Sequence, residues 1–192
     1  MLSIFKKKPG GIIRHLKLEK FYSTLSEPEI EEIKDSLAHP YQLSNRPYVR
    51  DDFDKGNRTY SGSASQFLEG LSEGLSPDLR KRVLIEAIKR ATNSVDKHFS
   101  RTKLAETAYK DGDFDECERY CLDVINELDL NAFKDARVVA FSRLAIMYEK
   151  QGRIQDAINI SEKALRLGQR DGTKGGYEGR IEKLKRKASK MK

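Results

Sequence analysis

Residues 104–128, LAETAYKDGDFDECERYCLDVINEL, and residues 144–168, LAIMYEKQGRIQDAINISEKALRLG, follow one pattern. Each opens Leu-Ala, reaches a glycine (Gly112, Gly152) eight residues after the leucine, and places a small residue (Cys117, Ala157) five positions further on. Glycine closes a helix because it enters the left-handed region at no steric cost. The pattern therefore spells helix, tight turn, helix, twice. Small residues at the crossings let helices approach closely, while Leu, Ile and Tyr fill the grooves between them. A single hairpin of this kind leaves an apolar face uncovered, so further hairpins are expected beside it.

The spacing is similar to the tetratricopeptide repeat, carried here by Phe141, Leu144, Ala145, Tyr148, Gly152, Ala157, Ala164 and Leu165, and by Leu104, Ala105, Ala108, Gly112, Cys117, Cys121, Val124 and Ile125. One departure is the 40-residue separation of Gly112 and Gly152, against about 34 in that family. Helix B of the first copy, the following helix A, or the connection LDLNAFKDAR must be longer. The segment DGTKGGYEGRIEKLKRK, from Asp171, resembles the close of a group of bacterial proteins with tetratricopeptide-like repeats. That likeness spans most of residues 63–190 and implies a fold without naming a function.

Working outward, SASQFLEGLSEGL and SPDLRKRVLIEAIKRA read as a degenerate hairpin over about 63–94, with Ser76 as cap and Pro77 in the first turn. The expected architecture is all-α. It has an N-terminal helical segment (1–38), a long connection (39–62), and a repeat domain (63–192) with hairpins at about 63–94, 98–131 and 138–168 and a capping helix at about 176–190. In the first segment Ser26 and Glu29 make a capping box around Pro28, and Ile12, Ile13, Leu16, Phe21 and Tyr22 form an amphipathic stretch. Residues 39–62 hold two prolines and no sustained period.

The glycine-rich RDGTKGGYEGR at 170–180 imitates a phosphate loop and fails as one. A phosphate loop follows a strand and ends Gly-Lys-Ser/Thr; here a helix precedes, Lys174 comes before Gly175, and no hydroxyl follows. DGDFDECE at 111–118 imitates a calcium loop, with Glu116 and Leu122 where glycine and a bidentate glutamate belong. His15, His39 and His98 are scattered, with no grouping that suits a metal or a catalytic triad. Cys117 and Cys121 lie one helical turn apart and read as buried thiols in a reducing cytoplasm. No catalytic residue, metal site or cofactor is expected.

Charge is segregated. The net value is +7, with +5 in residues 1–20 and +6 in residues 174–192, so the body between them is acidic. No run is long and apolar enough for a membrane span, and the MLSIFKKKPGG start is unlike a signal peptide. A cytoplasmic, non-catalytic protein is expected, and a homo-oligomer is compatible with the sequence.

Repeat register places Phe99, Thr102, Glu106, Tyr109 and Lys110 of one copy and Val139, Ser142, Ile146, Glu149 and Lys150 of the next on a shared concave groove. The resemblance implies that this groove binds a peptide or partner helix. The carboxylate-clamp positions of the chaperone-tail branch fall on Thr102, Glu106, Ser142 and Ile146, so that specificity is not implied. A competing expectation is nucleic-acid or anionic-surface binding through the basic ends, including residues 183–192, assisted by Arg46, Tyr48, Arg50, Arg58 and Tyr60. A third is that residues 1–62, needing cover for their own apolar helices, fill the groove themselves.

Overall fold

The structure, a computed structural model, describes residues 8–38, 48–134 and 136–190. Among them it is all-helical, with no strand. The chain divides into two compact units, 1–92 and 93–192.

The first unit carries α1 (Gly11–His15), α2 (Glu19–Tyr22), α3 (Glu27–Leu37), α4 (Ala64–Leu71) and α5 (Pro77–Arg90). Its start is set by backbone contact. Gly10 N–H donates to the Asp54 carbonyl at 2.6 Å and Gly11 N–H to the Gly56 carbonyl at 2.8 Å. Gly11 has φ +53°, and a Cβ there would stand 2.3 Å from the Asp52 oxygen. Only glycine fits.

From α1 to α5, Ile12, Ile13, Leu18, Phe21, Leu25, Ile30, Ile33 and Leu37 join Phe53, Phe67, Leu68, Leu71, Leu75, Leu79, Val83 and Ala87 in one core. The hairpin over 63–92 thus belongs with the N-terminal segment, and not with the later hairpins as the expected boundary at residue 62 had it. The reason is that α3 and α4–α5 each have an apolar face to cover and pack on one another. Residues 8–38 thereby find their cover inside this unit, which removes the motive for placing them in the groove. Phe53, expected in a long connection, is 1% exposed and anchors that segment to the core. Residues 39–47 lie outside the described residues.

The starts of α3 and α5 are held in different ways. Ser26 N–H donates to Glu29 Oε2 at 2.7 Å, completing the expected pairing. Ser76 precedes Pro77 as expected, but its hydroxyl donates to Glu32 Oε2 at 3.1 Å and does not cap its own helix. The residue has been turned into a tie between α3 and α5.

The second unit runs α6 (Ser94–Asp111), α7 (Phe114–Asn126), α8 (Val139–Lys150), α9 (Ile154–Arg166) and α10 (Gly176–Ser189). Each helix packs on the next, and α6 also touches α8. The two turns are copies of each other. Gly112 and Gly152 have φ +78° and +77°. Asp113 N–H reaches back to the Ala108 carbonyl and Arg153 N–H to the Tyr148 carbonyl, at 2.9 and 2.8 Å. These are the long back-bonds of a glycine-closed helix end.

The extra length between repeats lies in the connection, since α7 ends at Asn126 and α8 begins at Val139. There Asp129 Oδ1 accepts from the N–H groups of Asn131 and Ala132, and Phe133 stacks on His98 with ring centroids 4.0 Å apart. Among the described residues no helix is long and apolar enough to cross a membrane.

His98 is 8% exposed, and burial pushes its pKa down from 6.5 to about 4. Its protonation is therefore linked to unfolding. The stability it contributes is full above about pH 6.5, declines as pH falls toward 4, and levels off below; the whole effect is about 3 kcal/mol. Urea midpoints at pH 7, 5 and 4 should fall less steeply for His98→Leu than for the wild type.

Candidate functional site: the face formed by α6, α8 and α10

Of the ten groove residues named from the sequence, α6 and α8 bring most into one neighbourhood. Thr102, Ala105 and Glu106 of α6 and Val139, Ala140 and Arg143 of α8 line a recess with Cys121 of α7 in its wall. Its free space is about 10 Å³, roughly one water molecule. It is a seam between helices, too small for a ligand. Contact with Cys117 and burial hold the Cys121 thiol far above the usual thiol range.

Beyond the recess the face is polar and aromatic. The Arg143 guanidinium lies over the Tyr109 ring, 4.4 Å from its centroid. Lys150 Nζ donates to the Tyr109 hydroxyl at 2.7 Å and sits 5.2 Å from the same centroid. Phe114 meets that ring edge-on at 5.9 Å. Two cations against one phenol ring form a cation–π cluster, which holds Tyr109 in a fixed pose between the hairpins. Lys110 pairs with Glu106 one turn back at 3.1 Å. From α10, Lys187 reaches Glu149 at 3.1 Å, with Lys183 at 4.0 Å.

Phe99 lies apart from this cluster. It is 51% exposed, with its ring edge-on to His98 at 5.6 Å. Ile146 is half-buried. Ser142 requires a correction: it is 3% exposed, and its hydroxyl donates back to the Val139 carbonyl at 3.0 Å, so it offers nothing to a partner.

The sequence reading also passed over Arg143. A signal was present, because 139, 143, 146 and 150 are spaced four, three and four apart and share one helix face. The roles of Lys183 and Lys187 had no such signal, since they depend on how α10 lies against α8 and α9.

Among the described residues, several groups of the basic ends already have partners. Besides the pairs to Glu149, Lys185 binds Glu162 at 3.1 Å. Arg50 is paired with Glu31 and Asp35. Arg58 lies 4.8 Å over the Tyr48 ring, and Tyr48 and Tyr60 pack against each other and the first unit's core. Arg46 lies outside the described residues.

The glycine-rich turn before α10 is a structural joint. Asp171, with its side chain fully buried, accepts from Arg180 Nη2 at 2.8 Å and from the Thr173 hydroxyl at 2.6 Å. A Cβ at Gly172 (φ +78°) would meet the Arg137 guanidinium at 2.8 Å. The turn is thus wrapped on charged side chains of its own protein.

No protein-family model, curated protein or solved structure matches this chain.

Removing one partner of a buried ion pair leaves the other charge uncompensated, at about 3–5 kcal/mol. Asp171→Ala should lower the stability of the second unit by about 3 kcal/mol, seen as an earlier urea midpoint with an unchanged circular dichroism spectrum at zero urea. A midpoint within error of wild type would mean that this joint does not hold α10.

Proposed function

We propose that residues 93–192 form a tetratricopeptide-type superhelix whose inner face, made by α6, α8 and α10, binds an acidic peptide or partner helix. The observation that supports this most is the contact of α6 with α8, the first helices of two successive hairpins joined by matching glycine turns. Such an arrangement puts the first helices of successive hairpins on the inside of a superhelix.

The partner's chemistry follows from the side chains presented there. Lys110, Arg143, Lys150, Lys183 and Lys187 stand against Glu106 and Glu149. Cations predominate, and Arg143 and Lys150 are held in place by Tyr109. A carboxylate arriving between them gains charge-assisted hydrogen bonds from groups already oriented. Phe99, exposed at the start of α6, supplies an apolar anchor. No catalytic role is proposed for any of these residues.

The test is affinity capture from lysate with and without nuclease, comparing wild type with Arg143→Glu/Lys150→Glu and with Lys185→Glu as a charge control. The expected result is a nuclease-resistant partner, rich in acidic residues, that is lost at least tenfold in the double variant and kept in the control. Capture that disappears with nuclease and ignores the double variant would overturn the reading in favour of the basic ends.

A further inference from the structure

In the first unit, the segment before α1 and the turn after Phe53 enclose a cleft of about 520 Å³. That is within the ordinary range for small-molecule sites, about 300–1,000 Å³. It is lined by Lys8, Pro9, Gly10, Arg14, Tyr22, Asp54, Lys55 and Gly56. The cleft exists because Gly10 and Gly11 let the chain press onto residues 52–56, where any side chain would collide with backbone.

Charge in the cleft is one-sided. Lys8, Arg14 and Lys55 face a single lining carboxylate, Asp54, which already has Lys34 at 3.0 Å. Lys55 pairs with exposed Asp51 at 2.8 Å. With Asp51, Lys34 and Glu31, which stands 3.3 Å from Lys34, included, cations still exceed carboxylates by one. Arg14 is not loose: its Nε donates to the Pro9 carbonyl at 3.2 Å, which leaves the terminal nitrogens of the guanidinium fork for an anion.

Tyr22 and Pro9 give the cleft a flat wall. Tyr22 donates its hydroxyl to Asp54 Oδ2 at 2.8 Å and leans on Phe53, so its ring is fixed as a surface. Asp54 Oδ1 is buried out of reach of the cleft.

We propose that this cleft binds a small phosphate monoester whose organic group carries a ring. The phosphate meets the cationic side through Arg14, Lys8 and Lys55, and the ring lies along Tyr22 and Pro9. The site is built entirely from the first unit and does not depend on the face formed by α6, α8 and α10.

Isothermal titration calorimetry on the full chain tests it, with ribose 5-phosphate, adenosine 5′-monophosphate, ribose and inorganic phosphate as probes. One of the two esters should saturate at least about tenfold more tightly than inorganic phosphate. Ribose alone should not bind. Tight ribose 5-phosphate points to sugar phosphates, while adenosine 5′-monophosphate alone points to mononucleotides. Arg14→Gln and Lys55→Gln change exposed side chains, and each should weaken the favoured ester at least about fivefold with an unchanged circular dichroism spectrum. The proposal is overturned if neither ester saturates, if inorganic phosphate binds equally well, or if both variants bind as the wild type does.

Discussion

Close approach of helices at small side chains is the constraint on which the second unit depends. Ala105, Ala108, Cys117, Cys121, Ala140, Ala145, Ala157 and Ala164 are all at most 6% exposed. Ala105, Cys121 and Ala140, from three successive helices, line one water-sized seam. A larger side chain at such a crossing would force the axes apart and uncover Leu104, Leu144 and Tyr148 together. The same closeness brings α8 near enough to α6 for Arg143 and Lys150 to reach a tyrosine on the other hairpin. Packing and the proposed binding face thus share one cause.

The first unit solves a different problem. Its N-terminal helices are only five and four residues long, too short to be stable alone. They are held by a backbone-to-backbone seam with residues 52–56 and by a core that draws on α3, α4 and α5. Arg82 adds to this by donating to the Thr24 carbonyl at 3.0 Å and pairing with Glu29, and Arg90 by donating to the Lys17 carbonyl at 3.0 Å. Long cations on α5 here satisfy carbonyls that short helices leave open. The glycines that permit the seam also open the cleft beside it.

Features encoded within a few residues were legible in the sequence. The Gly112 and Gly152 turns, the Ser26–Glu29 cap and the order of helical segments depend on local chemistry. Features requiring two distant segments were not. Phe53 looked like loop because its neighbours are polar, and only the fold shows it filling the core of 1–92. The seam of Gly10–Gly11 with Asp54 and Gly56 spans more than forty positions with no periodic pattern to reveal it. On the candidate face the difficulty was angular. Ser142 and Arg143 are adjacent, and a rotation of one residue decides which of them is buried. The tail forms the helix α10 packed on α9, but Lys183 and Lys187 acquire their meaning only from Glu149 on α8.

The most direct test of this account is amide hydrogen exchange on the full chain, comparing wild type with Ala157→Leu. If α8 and α9 are held by close approach at Ala157, protection should fall across α8, α9 and α10 while α3, α4 and α5 keep theirs. Protection lost equally in both units, or retained throughout α8–α10, would contradict it.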